Sequence, residues 1–209
     1  MGGRGSKGVS GGWSDAFKQQ KYPSDERIAL YDYTVASYIN KEIADSIKNG
    51  TPLPPRYIKM KALLDKAINK GVITAHNGKP AFPLFRGGCA IMIGVPEVEF
   101  TQAELVKFIN DTRIGTKNPN VGYSSLTTKQ GIARGFSIRR KNPIVMDIKK
   151  VGKGIHGAAV SGQGGERPIS GSGSLEEEII GQRNIIYTPI GKAYIGTDAR
   201  VHVPVRIDV

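Results

Sequence analysis

Ser174-Leu175-Glu176-Glu177-Glu178-Ile179-Ile180 is the most acidic stretch in a chain that is otherwise strongly basic. As a strand, it places Glu176 and Glu178 on one face and Glu177 on the other, because successive side chains point to opposite sides. Two carboxylates on one face repel each other unless a cation or a function offsets the cost. An acidic solvated turn is the plainer alternative. Just before it, residues 161–174 read Ser-Gly-Gln-Gly-Gly-Glu-Arg-Pro-Ile-Ser-Gly-Ser-Gly-Ser, a linker-like composition. A long loop inside an otherwise compact unit is more often functional than accidental.

Working outward, Ile144, Met146 and Ile148 alternate with other residues, and Val201, Val203, Val205 and Ile207 do so more cleanly, which predicts strands. Pro204 has no N–H to give to a ladder, so its strand is an edge or Pro204 sits where no donor is required. The first half has helical spacing. A helix is expected over 28–47, with Ile39, Ile43 and Ile47 in one stripe, Ser24 or Asp25 as cap, and Asn49-Gly50 with three following prolines as the stop. A second runs over 58–69, with Leu64, Ala67 and Ile68 facing inward and Gly71 at its end. Thr101-Gln-Ala-Glu104 is a capping-box pattern that starts a third, carrying Leu105 and Ile109. Residues 1–24 are rich in Gly, Ser and Lys and read as a flexible basic tail, leaving one α+β domain over 25–209.

The 209 residues include 39% apolar ones, enough for one real core. The formal charge of +12 predicts attraction to polyanions: nucleic acid, an acidic protein face or a dinucleotide pyrophosphate. No apolar run is long enough for a bilayer, and the N-terminus lacks a signal-like apolar stretch, so a soluble protein with no membrane contact is expected. The single Cys89 excludes an internal disulfide and a cysteine-rich zinc site. His76, His156 and His202 lie too far apart for a metal motif and read as surface or packing residues.

Two further segments carry chemistry. Pro83-Leu-Phe-Arg86-Gly87-Gly88 sets a guanidinium, which forks onto phosphate or carboxylate, beside glycines that admit a ligand close to the backbone. Its plain reading is a strand end turning at Gly-Gly. Gly122-Tyr-Ser-Ser125-Leu-Thr127-Thr leads into Ala133-Arg-Gly-Phe136, and clustered hydroxyls of this kind usually mean only a half-exposed polar face.

The order is more informative than any one segment. Arg-Gly at a strand end, then Ser-x-Thr leading into Ala-x-x-Phe, then Glu-x-Glu ahead of two aliphatics resembles the mono-ADP-ribosyltransferase exoenzyme family, which includes clostridial Rho-modifying exoenzymes and binary-toxin enzymatic components. Tyr33-Thr34 with Ile39-Asn40, Ala62-Leu-Leu-Asp65-Lys-Ala67, Val151-Gly-Lys-Gly154 and Glu178-Ile-Ile-Gly-Gln-Arg183-Asn184 follow the same pattern. Two positions depart from it: Ser125-Leu126-Thr127 stands where the family reads Ser-Thr-Ser, and Ala44 where its opening helix commonly carries an arginine.

The resemblance implies N-terminal helices packed on a two-sheet β core, NAD+ as substrate, no metal, and glycosyl transfer of ADP-ribose to a host protein in the cytoplasm of the target cell. It assigns the stabilisation of the ribosyl cation to Glu178, the NAD phosphates to Arg86, backbone near the nicotinamide to Gly87, and the orientation of Glu178 to Ser125. Thr127, Phe136 and Asn40 complete the NAD-binding set. A glutamate at the position of Glu176 goes with arginine acceptors in this family, and the 161–174 loop would meet the target. Two rivals stand beside this reading. One is a catalytically weak structural or nucleic-acid-binding protein acting through its basic residues, since the glycine-rich basic start resembles those of some bacteriophage proteins. The other is an NAD glycohydrolase that uses water as acceptor.

Overall fold

The computed structural model describes residues 21–35, 38–138, 140–160 and 177–209. Helical spacing early in the chain gives α1 (Ser24–Val35), α2 (Tyr38–Asn49) and α3 (Pro55–Ile68). The single helix expected over 28–47 is therefore two. Ile39 and Ile43 face the core, but Ile47, in the last turn of α2, is 63% exposed. Leu64, Ala67 and Ile68 of α3 are buried as their spacing predicts, and Pro55 sits in the first turn, where a missing N–H costs nothing. Tyr22, counted with the tail on composition, is buried against this helical cluster. In α4 (Gln102–Thr112) both halves of the capping box form: the Glu104 N–H donates to Thr101 Oγ1 at 3.3 Å and the Thr101 N–H to Glu104 at 2.8 Å.

Among the described residues eleven strands form. β1 (Ala75–His76) and β2 (Lys79–Pro80) make a hairpin. The others are β3 (Phe85–Cys89), β4 (Asn118–Asn120), β5 (Ser124–Thr127), β6 (Pro143–Val151), β7 (Gly157–Ala159), β8 (Glu178–Gly181), β9 (Ile185–Pro189), β10 (Tyr194–Ile195) and β11 (Val201–Asp208). They run in the order β4-β9-β11-β6-β3-β5-β8-β7, with β10 also on β11. The path narrows to one register pair, Phe85 with Thr127, between β3 and β5, so the β core has two portions joined at a waist. Helices α1 to α3 pack on the β5-β8-β7 portion through Leu30, Ile39, Leu64, Tyr123 and Ile180. Helix α4 covers the other portion through Leu105 and Ile109, which join Met146, Val203 and Val205.

Pro204 is not on an edge strand, since β11 has β6 on one side and β9 and β10 on the other. Strand β10 pairs with Val201 and His202, and β9 with residues from Val205 onward, so Pro204 falls in the gap, where no donor is needed. Its carbonyl accepts the Ile190 N–H at 2.9 Å. On the same strand His202 is fully buried, with Nδ1 3.2 Å from Asp147 and Nε2 3.0 Å from Asp198. No helix among the described residues is long and apolar enough to cross a membrane.

Candidate active site

The waist creates the cleft. Beyond the Phe85–Thr127 pair β3 and β5 stay unpaired, and β3 goes on along β6 through Arg86–Met146 and Gly87–Val145. A cleft of about 450 Å³ opens there, a size that suits a small-molecule ligand. Arg86 and Gly87 line it from β3, Ser125 from β5, Glu178 from the first position of β8, Asn40 from α2, and Phe136 from α5 (Gln130–Ser137). Six of the eight residues singled out from the sequence thus share one cavity, although they come from five elements.

Each is held for a local reason. The Arg86 guanidinium lies 5.6 Å over the Tyr187 ring and donates one long bond, 3.4 Å, to the Ser125 carbonyl. Its Nε is buried with no hydrogen-bond partner. A buried charged donor without a partner is costly, so the fork is set for an anionic acceptor. Glu178 is 4% exposed and pairs across the sheet with Thr127. A Cβ at Gly87 would stand 1.7 Å from the Ala133 carbonyl oxygen. Glycine is therefore required there so that α5 can lie on β3 and carry Phe136, 39% exposed, to the cleft. Helix packing thus supplies a reason for glycine beside the ligand approach read from the sequence, and Gly87 also lines the cleft.

Asn40 is a clamp. Its Oδ1 accepts the Tyr123 N–H at 2.7 Å, while its Nδ2 donates to the Tyr123 carbonyl at 3.0 Å and to the Tyr33 hydroxyl at 3.2 Å. Both amide hydrogens are committed to the fold, so Asn40 shapes the cleft wall instead of offering a donor to a ligand. Thr127 lies outside the lining: it is fully buried and its hydroxyl accepts the Lys129 N–H at 3.1 Å.

The strand alternation expected through the three glutamates stops at Glu178, where β8 begins. Glu177 has φ +44°, accepts a hydrogen bond from the Thr128 hydroxyl and lies 3.2 Å from the Lys129 ammonium, which turns it away from the cleft. Glu176 and the 161–174 loop lie outside the described residues.

Composition and motif did not single out Tyr33, Met92, Cys89 or Arg140 as site residues, yet all four line the cleft. Ser125 Oγ donates to the Tyr33 hydroxyl at 3.5 Å. Burial pushes the Tyr33 pKa up, Arg86 opposes this, and Glu178 adds a smaller upward push. In the sequence Tyr33 stood out only within the opening-helix pattern Tyr33-Thr34 with Ile39-Asn40. Behind the cleft, Asp65 on α3 receives Arg183 Nε at 3.2 Å and Nη2 at 3.1 Å, the Tyr123 hydroxyl at 2.7 Å and Lys61 at 3.0 Å, which ties α3 to β5 and to the β8–β9 turn. No group of three or more His, Cys, Asp or Glu among the described residues could hold a metal.

Compared as a sequence, the chain matches no protein-family model and no curated protein. Compared as a structure, it is similar to the C3 exoenzyme of Clostridium limosum, with 22% identity, TM-score 0.71, and 94% of this chain and 92% of the other covered. It is similar to C3stau2 of Staphylococcus aureus, solved with NAD, at 17% identity and TM-score 0.64 over 94% and 92% of the two chains. The ADP-ribosyltransferase Vis, solved in complex with agmatine, matches at 16% identity and TM-score 0.61 over 94% and 81%. The chain thus has the ADP-ribosyltransferase fold, with the α+β layering expected from its sequence.

Proposed function

We propose that this protein cleaves NAD+ at the bond between nicotinamide and ribose and transfers the ADP-ribose to arginine on a protein. The observation that carries the reading is the convergence of Arg86, Ser125 and Glu178, from three different strands, on one cleft with an unpartnered buried guanidinium nitrogen. Arg86 takes the pyrophosphate, where a fork geometry gains two charge-assisted bonds. Nicotinamide departs with the electrons of the glycosidic bond, and positive charge develops on the ribose, the same demand that glycosidases meet with carboxylates. Glu178 faces that charge from a buried position, where its field is little screened. Ser125 and Tyr33 hold the cleft floor against it. A guanidinium nitrogen of the acceptor then bonds to the ribose carbon and loses a proton, which Glu176 would accept. Support for this acceptor comes from the Vis structure, because agmatine is itself a guanidinium compound.

The test is release of nicotinamide from NAD+ by the full-length protein, with and without agmatine, and with mass analysis of the products. The parent is expected to form ADP-ribosyl-agmatine. Glu178→Gln should lose about 10²–10³-fold or more in nicotinamide release with its melting temperature kept. Glu176→Gln should keep hydrolysis but lose transfer. Free ADP-ribose as the sole product would leave a glycohydrolase, and no nicotinamide release from the parent would reject the enzyme reading altogether.

A further inference from the structure

Strand β6 carries a bulge opposite β11, where Val205 pairs with Ile148 but Arg206 pairs with Lys150. The extra residue is Lys149. At a bulge the chain is re-aimed, and here Lys149 and Lys150 are both exposed, Lys149 at a pocket it shares with Lys79 and Lys150 at a separate groove. Lys153 follows in the turn after β6, also exposed, and Lys79 lies on β2 beside it. Lys150, Lys153 and Arg206 line a groove of about 710 Å³ that shares no residue with the active-site cleft.

The charges on this face are poorly offset. Asp208 is engaged by Arg206 at 2.7 Å. The buried Asp147 lies 3.9 Å from Lys149 but already binds His202 and the Tyr194 hydroxyl. Among the described residues no carboxylate pairs with Lys79, Lys150 or Lys153. Crowding like charges costs stability unless an anion binds.

We propose that this groove binds the phosphodiester backbone of nucleic acid without reading its sequence. Lysines present compact charges that meet phosphate oxygens from many directions. The groove contains no aromatic side chain, so bases have nothing to stack on and recognition stays with the phosphates. Its concavity suits a strand better than a flat lipid surface, and its one guanidinium, the group that would fork onto protein carboxylates, is already taken by Asp208.

The experiment is fluorescence anisotropy of a labelled, mixed-sequence single-stranded DNA with the full chain, titrated with salt. Each phosphate neutralised contributes roughly −0.7 to the slope of log K against log salt, so replacing Lys150 and Lys153 together by Gln should flatten the slope by about 1.4 and weaken binding uniformly across sequences. Melting temperature and nicotinamide release from NAD+ should stay at parental values, which keeps this result separable from the enzyme reading. Should the double variant bind DNA with the parental slope, the groove is not the site. Anionic vesicles or polyglutamate displacing the DNA from the parent at equal charge, with the same two lysines responsible, would also overturn the assignment.

Discussion

Arg86 illustrates how much of the site rests on single side chains. Tyr187 supports the guanidinium from one side and the Ser125 carbonyl takes one long bond, which leaves the buried Nε for a ligand. A lysine keeps the charge but loses the fork and the ring contact. Arg86→Lys is therefore expected to raise KM for NAD+ by about tenfold, the scale of one charged hydrogen bond of roughly 1.5 kcal/mol or more, with a smaller change in kcat. Equal KM values for parent and variant would remove Arg86 from NAD binding. Gly87 obeys a different constraint. With the Ala133 carbonyl 1.7 Å from any Cβ, Gly87→Ala must push α5 off β3, and overpacking of this kind costs about 1–3 kcal/mol. Melting should register that loss, and NAD+ cleavage should fall further than stability does, because α5 carries Phe136 at the cleft. An unchanged melting temperature would show that the backbone absorbs the methyl elsewhere.

Between elements the fold relies on side chains that substitute for missing backbone pairing. Asn40 joins α2 to Tyr123 through two opposed hydrogen bonds, and Asp65 joins α3 to Tyr123 and Arg183. Burial raises the Asp65 pKa, but hydrogen bonds from Arg183, Tyr123 and Lys61 outweigh it and hold the carboxyl below its ordinary range. A depressed carboxylate stabilises the fold above its unfolded value of about 4, and that contribution is lost as pH falls through the lower folded value. Asp65→Asn should thus melt several degrees below the parent at pH 7, with the gap closing in acid below about pH 4. A gap that stays constant down to pH 3 would assign the loss to packing alone. Periodicity and capping were sufficient to read α3, α4, β6 and β11, because each repeats its buried positions at the period of its own element or carries its cap within its first turn. The division of 28–47 into two helices and the termination of the glutamate strand at Glu178 were not readable. The division falls at residues 36–37, outside the described residues, and the termination turns on a left-handed residue at Glu177 that alternation cannot foresee.

At the scale of the whole molecule the waist between β3 and β5 sets both the position of the cleft and its expected response to ligand. Motif order brought Arg86, Ser125 and Glu178 together before any geometry, since the order of segments along the chain does not depend on where the fold places them. Arg140 had no comparable signal, because it looks like a surface charge, and Tyr33 stood only within the opening-helix pattern, where it looks like a core aromatic. With α5 and Arg86 on one side of the waist and Ser125 and Glu178 on the other, an NAD+ analogue in the cleft must contact both portions of the β core. Ligand that binds only the folded state stabilises it by about 2.7 kcal/mol at a hundredfold excess over Kd. A non-hydrolysable NAD+ analogue is therefore expected to raise the melting temperature by roughly 5–10 °C and to slow amide exchange in β3 and β8 together. The same analogue should leave Arg86→Ala nearly unmoved. Protection confined to one portion would mean that the analogue sits on a single wall, and that Glu178 does not face the same ligand as Arg86.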